Sequence, residues 1–150
     1  MDKKLKDSLS KIKLLICDID GVLTDGSFIK STSGEELRSF NALDGVGFVV
    51  LRLLDLNVKT AWITGRESLT TTQRAEELQI DDVYNGVIRK IDAYNELKKK
   101  YELSDSEVCF IGDDIIDIPI LEKVGFAVTV PNAPKYISCL LYTSDAADES

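Results

Sequence analysis

Histidine is absent from the 150 residues. Without an imidazole, Ser-His-Asp and Cys-His triads, His-ligated zinc and phosphohistidine chemistry are excluded, and any catalysis is left to carboxylates, hydroxyls, lysine or a metal ion. Cysteine is nearly as scarce. Cys17, Cys109 and Cys139 form an odd, scattered set with no Cys-x-x-Cys pair, which is neither a disulfide nor a zinc framework. Cys17 and Cys109 end or interrupt aliphatic runs and read as small buried hydrophobes, without the downstream arginine of a cysteine-phosphatase loop. No apolar run approaches membrane-spanning length, and residues 1–13 are too charged for a signal peptide, so the expected address is the cytoplasm.

What is present suits one compact domain. Hydrophobic side chains make up 44% of the chain, enough for a sizeable core, while 18 basic and 26 acidic residues leave a net charge of −8. That excess repels nucleic acid and anionic membrane, so neither is an expected partner, although a small anionic substrate can still bind locally. Residues 139–149, CLLYTSDAADE, read like a translated sequencing adapter. The expected division is therefore a domain over 1–138 and a non-native tail over 139–150, with the natural chain truncated near Ser138.

Along the chain the hydrophobic period alternates between strand and helix. The run from Lys11 to Asp18 predicts a strand buried on both faces and ending on carboxylates. Ser27 to Lys30 and Glu36 to Phe40 predict a hairpin turning at Ser33 and Gly34. Asp44 is expected to cap a helix to about Leu56, with Val46, Val49, Val50, Leu53 and Leu54 inward. Val58 to Thr64 predicts the next strand, followed by a turn at Gly65 and Arg66 and a helix to about Gln79. A short strand at Asp82 to Tyr84, a helix from Lys90 to Tyr101 and a strand at Glu107 to Ile111 follow. Ile115 to Lys123 reads as a helix with Gly125 as its stop, and Phe126 to Val130 as a last strand. This order implies an α/β fold: a three-layer, Rossmann-like, mainly parallel sheet with helices on both faces and its ligand site beyond the strand C-termini.

Four segments carry chemistry there. In DIDGVLTDG, Asp18 and Asp20 share one strand face about 6.6 Å apart, and Gly21 lets the chain turn sharply. In ITGR, Thr64 offers a hydroxyl and Gly65 frees main-chain N–H groups for an anion. Lys90 opens a helix, where the macrodipole gives a cation no reason to be. GDDIID places Asp113, Asp114 and Asp117 within five residues. Two unit charges about 5 Å apart at an effective dielectric of ~20 repel by roughly 3 kcal/mol. A hard divalent cation relieves that repulsion, and an all-oxygen donor set favours magnesium over zinc.

In this order the four motifs resemble the haloacid dehalogenase superfamily of phosphotransferases. Residues 12 to about 137, through DGVLTDG, FNALDGVG, ITGRES and GDDIIDIP, further resemble its small capless branch typified by 3-deoxy-D-manno-octulosonate (KDO) 8-phosphate phosphatases. The resemblance implies a magnesium-dependent phosphatase acting on a phosphorylated sugar acid. Asp18 would attack phosphorus to form an aspartyl phosphate, while Asp20 protonates the leaving oxygen and then activates water. Thr64 and Lys90 would stabilise the transferring phosphoryl group. Magnesium would be held by Asp18, Asp113 and the backbone carbonyl of Asp20, with Asp114 and Asp117 around them. Asn41, Asp44, Gly45, Gly65, Arg66 and Arg74 would contact substrate. The hairpin at 27–41 would stand in place of a cap and join subunits, usually in a tetramer.

Two departures bear on that reading. Val49 stands where some members carry arginine, so another sugar phosphate, such as an acylneuraminate 9-phosphate, is the alternative substrate. Relatives also continue beyond this point through a strand, a Gly-rich loop and a helix. The adapter-like tail replaces these, which implies exposed apolar surface and an aggregation-prone product. Other classes fit less well. A receiver domain has its acidic pair first and its phosphoacceptor on a later strand, GVLTDGS lacks the lysine of a nucleotide-binding phosphate loop, and a nonenzymatic binding module of this fold has no need of the full catalytic set.

Overall fold

A computed structural model describes residues 2–148; the end of the expected tail, residues 149 and 150, lies outside the described residues. A short helix, α1 (Lys3–Leu9), precedes the sheet. The sheet follows as β1 (Leu14–Cys17), β4 (Lys59–Thr64), β5 (Asp82–Asn85), β6 (Val108–Ile111) and β7 (Phe126–Val128). These five strands lie in the order β5-β4-β1-β6-β7 and every pairing is parallel, with β1 at the centre. The chain runs outward from β1 to β4 and β5, then returns to the other side of β1 for β6 and β7, which makes the strand C-termini beside β1 a topological switch point.

Period-two alternation sorts side chains to the two faces. Leu14, Ile16, Ala61, Ile63, Val108 and Phe110 point to one face and pack with Ala93, Tyr94 and Leu97 of α4 (Lys90–Tyr101), Ile120 and Leu121 of α5 (Ile118–Leu121) and Ile137 of α6 (Lys135–Asp148). Cys17 and Trp62 point to the other and pack with Phe48 of α2 (Ala42–Leu53) and Ala75 of α3 (Leu69–Leu78). Phe48 meets the Trp62 ring edge-on at 5.7 Å between centroids, and Phe40 stacks on it at 6.4 Å. Burial pushes the Cys17 thiol far up and the Cys109 thiol up to about 12, which fits both as inert core residues.

Several local expectations are corrected. The cap of α2 is Asn41, whose side-chain oxygen accepts the Leu43 N–H at 2.8 Å, and Asp44 lies inside the first turn. The inner face of α2 is Gly45 and Phe48, while Val46, Val50, Leu53 and Leu54 are exposed. This helix is apolar nearly all round, so period alone selects no face. Ile115 to Lys123 is a 3-10 turn (Ile115–Asp117) running into the four-residue α5 rather than one helix. Gly125 ends no helix: a Cβ there would lie 2.5 Å from the Ser106 carbonyl oxygen, so glycine allows a close backbone crossing. The hairpin is shorter than expected, with β2 (Ile29–Lys30) antiparallel to β3 (Glu36–Leu37), and Ile29 and Leu37 exposed. The expected tail falls within α6 as far as Asp148.

Candidate active site

The acidic residues meet at the C-terminal rim. Asp18 follows β1 and continues its pairing through its N–H to the Ile111 carbonyl at 2.9 Å. Lys90, at the first position of α4, is 1% exposed, and its Nζ lies 2.7 Å from both Asp18 Oδ1 and Asp117 Oδ1. The other oxygen of Asp117 accepts the N–H groups of Asp113 at 2.9 Å and Asp114 at 3.2 Å, so Asp117 ties the loop after β6 to the lysine. Asp114 accepts the Ile115 N–H and the Tyr136 hydroxyl at the edge of this loop. A single Cβ on Gly21, whose φ is +92°, would stand 1.9 Å from an Asp113 oxygen, so only glycine lets the loop after β1 pass that close.

Carboxylate oxygens of Asp18, Asp113 and Asp117 all lie within 4.8 Å of one another. One ammonium faces three carboxylates. Burial pushes the Asp18 carboxyl up to about 7, with Lys90 pulling it down and Asp117 adding to the rise. Burial also raises the Asp113 carboxyl; a hydrogen bond with Asp18 opposes that, and the Asp117 and Asp114 charges reinforce it. Burial would lower the Lys90 ammonium, but Asp18 and Asp117 outweigh it and hold it above its ordinary value. Asp113 Oδ1 is buried without a hydrogen-bond partner among the described residues. An orphaned buried oxygen, excess negative charge and an all-oxygen donor set fit a hard divalent cation. Asp117 joins this cluster, whereas the side chain of Asp20 turns elsewhere, to Arg38 at 3.2 Å.

The cavity over the cluster, about 400 Å³, is lined by Asp18, Asp20, Gly65, Arg66, Asp113 and Asp114, with Ile88 and Ile116 as apolar walls. Thr64 ends β4 at the same rim, fully buried, its hydroxyl accepting the Arg66 N–H at 3.3 Å. The expected substrate contacts divide. Gly65 and Arg66 face this cavity, but Asn41, Asp44, Gly45 and Arg74 line a separate small cleft beside Trp62, where Arg74 pairs with Glu77 at 2.9 Å. Arg66 is held by the hairpin, with its guanidinium 3.9 Å over the Phe28 ring and 3.6 Å from Glu36.

Arg38 also stands at this site, although it belongs to none of the four motifs. A charge in a short hairpin normally reads as solvated, yet this side chain is 0% exposed. The available signal was Glu36-x-Arg38, an opposite-charge pair at strand spacing in the segment facing the Asp18 motif.

Several known proteins are similar to this chain. The KDO 8-phosphate phosphatase KdsC of Yersinia pestis is 42% identical over 124 residues, covering 83% of this chain and 65% of that protein, so the chain spans less than two thirds of this curated relative. A crystal structure of the Moraxella catarrhalis KDO 8-phosphate phosphatase with magnesium, phosphate and KDO superposes with a TM-score of 0.84 at 34% identity, over 89% of this chain and 76% of that one. The cobalt-bound phosphatase of Haemophilus influenzae gives 0.80 at 34%, over 87% and 75%. A profile for haloacid dehalogenase-like hydrolases matches residues 27–140. With a five-strand parallel sheet, an acidic cluster at its switch point and relatives of this kind, the chain belongs to the haloacid dehalogenase-like hydrolase family.

Proposed function

We propose that this chain is a magnesium-dependent phosphatase that hydrolyses the phosphomonoester of a sugar acid, with KDO 8-phosphate as its substrate. The observation that carries the reading is Lys90, buried between Asp18 and Asp117 at the end of the central strand with Asp113 beside them. A lysine so placed offers positive charge to a transferring phosphoryl group. The similarity to KDO 8-phosphate phosphatases at about 40% identity supports the substrate.

In this reading an Asp18 carboxylate oxygen attacks phosphorus as the bond from phosphorus to the sugar oxygen breaks, and Asp20 gives its proton to that oxygen. Water then attacks the aspartyl phosphate, Asp20 takes its proton, and phosphate leaves. Thr64 and Lys90 hold the phosphoryl oxygens, and Gly65 and Arg66 orient the substrate from the facing loop. Magnesium would be held by Asp18, Asp113 and the Asp20 backbone carbonyl, with Asp117 and Asp114 fixing the loop, and would supply charge neutralisation for the phosphoryl group. Asn41, Asp44, Gly45 and Arg74, in their neighbouring cleft, reach substrate only as part of a larger site.

We also propose that the protein acts in the cytoplasm as a homotetramer, and that it binds neither nucleic acid nor membrane. No helix among the described residues is long and apolar enough to cross a membrane. Exposed Ile29 and Leu37 on the hairpin and Leu43 and Val46 on α2 support association between copies.

The test is phosphate release from KDO 8-phosphate and an acylneuraminate 9-phosphate with and without magnesium, alongside Asp18→Asn. Magnesium-dependent release, favouring the first substrate and falling more than about a thousandfold in the variant, is expected. Preference for the acylneuraminate would move the substrate, and equal release by Asp18→Asn would remove the mechanism.

A further inference from the structure

Arg38 lies just past β3, in a hairpin whose neighbouring residues Ile29 and Leu37 are exposed, yet its own side chain is fully buried. Its guanidinium gathers groups from three parts of the chain. Nε donates to Glu36 Oε1 at 3.1 Å, Nη1 donates to Thr71 Oγ1 of α3 at 3.1 Å, and the same Nη1 lies 3.2 Å from Asp20 Oδ1. Thr71 ties the hairpin to α3, while Glu36 belongs to the hairpin itself. The contact with Asp20 is additional, and it falls on the carboxyl assigned to proton transfer.

The pairing is incomplete in an informative way. Among the described residues, Asp20 Oδ1 and Arg38 Nη2 are buried without hydrogen-bond partners. The 3.2 Å approach to Asp20 is thus a charge contact, not an aligned hydrogen bond. Two members of one ion pair, each holding an unmet polar atom beside the cavity that Asp20 lines, mark a place where a further polar group fits.

We propose that Arg38 is a positioning residue for Asp20: it holds the carboxyl in the orientation from which the proton passes to the leaving oxygen, and so couples the hairpin to the chemical step. This rests on the phosphatase reading above. As the bond from Asp18 to phosphorus forms and the bond from phosphorus to the sugar oxygen breaks, the Asp20 proton moves to that oxygen. Asp20 remains as a carboxylate facing the guanidinium, which stays protonated throughout.

Leaving-group dependence separates positioning from general structural support. A sugar alkoxide needs a proton to leave, whereas p-nitrophenolate needs little help, and kcat/KM reports only the steps up to transfer onto Asp18. Arg38→Met is expected to lower kcat/KM for the sugar phosphate by about ten- to a hundredfold. For p-nitrophenyl phosphate the loss should stay under about threefold, and Arg38→Lys should recover most of the sugar-phosphate activity. Equal losses on both substrates, or no loss, overturn the proposal. If Arg38→Met fails to fold by circular dichroism, Thr71→Val decides: it removes one anchor of the guanidinium and should reduce only the sugar-phosphate rate, while an unchanged ratio overturns the proposal. A wild-type protein inactive on both substrates would remove the phosphatase reading and this inference together. Full activity in wild type and Arg38→Met alike would remove this inference alone.

Discussion

Lys90 and Lys98 stand about two turns apart on α4, and each meets an aspartate. Lys98 reaches Asp105, which also accepts the Tyr94 hydroxyl, with Lys98 and Asp105 side chains 22% and 43% exposed. One cation meets one anion there, and Lys98 and then Tyr94 hold the Asp105 carboxyl below its usual range. Lys90 is sealed from solvent and shared by two carboxylates with a third close by, and burial drives Asp18 up to about 7. A balanced, half-exposed pair adds modestly to stability. An unbalanced, buried cluster is costly until a ligand completes it, and that imbalance marks the working end of the helix.

The sharpest way to break this comparison is to remove each lysine in turn. Lys90→Met should lower kcat for phosphate release by about a hundred- to a thousandfold; a loss below about fivefold would mean that the buried ammonium serves only the fold. Asp117→Asn should weaken magnesium binding about ten- to a hundredfold, because the loop bearing Asp113 loses its tie, and titration calorimetry would measure this.

Proton linkage gives a smaller effect with a definite sign. Asp18 is raised from an ordinary 3.8 to about 7, so between these values the folded, metal-free protein holds a proton that the unfolded chain has released. Stability from this group is therefore lost as pH rises from about 4 to 7. Asp18→Asn should melt progressively higher than metal-free wild type across that window, by a few degrees at pH 7.5, with the gap constant above it. A gap independent of pH would show that Asp18 ionises normally. The smallest effect is expected at the far end of α4. Lys98→Met should cost about 1 kcal/mol or less in denaturant unfolding and leave kcat within about twofold.

The sheet and its connections were legible because most strands are short, largely apolar runs closed by turn residues, and the acidic rim was legible because Asp18, Asp20, Asp113, Asp114 and Asp117 repel unless something gathers them. What escaped depends on contacts between distant segments. Apolar residues surround α2, so its buried side is decided by Gly45 and Phe48 fitting against Trp62 and α3, which no period records. Asn41 displaced Asp44 as the cap because a carboxamide and a carboxylate three residues apart are equally good candidates until the backbone chooses. Arg38 escaped because its three partners lie on three segments, and Glu36, the sequence neighbour, reads as an ordinary surface pair.

The place of β1 has a consequence for how the molecule fails. Hydrogen-bonded on both edges, residues 14–17 belong to the part that opens last in native-state hydrogen exchange, whereas the hairpin is paired only to itself. Under the proposed mechanism, progressive destabilisation should free the Arg38 arm while Asp18 still keeps its place beside β1, so a damaged protein would lose its choice of leaving group before it loses the power to become phosphorylated.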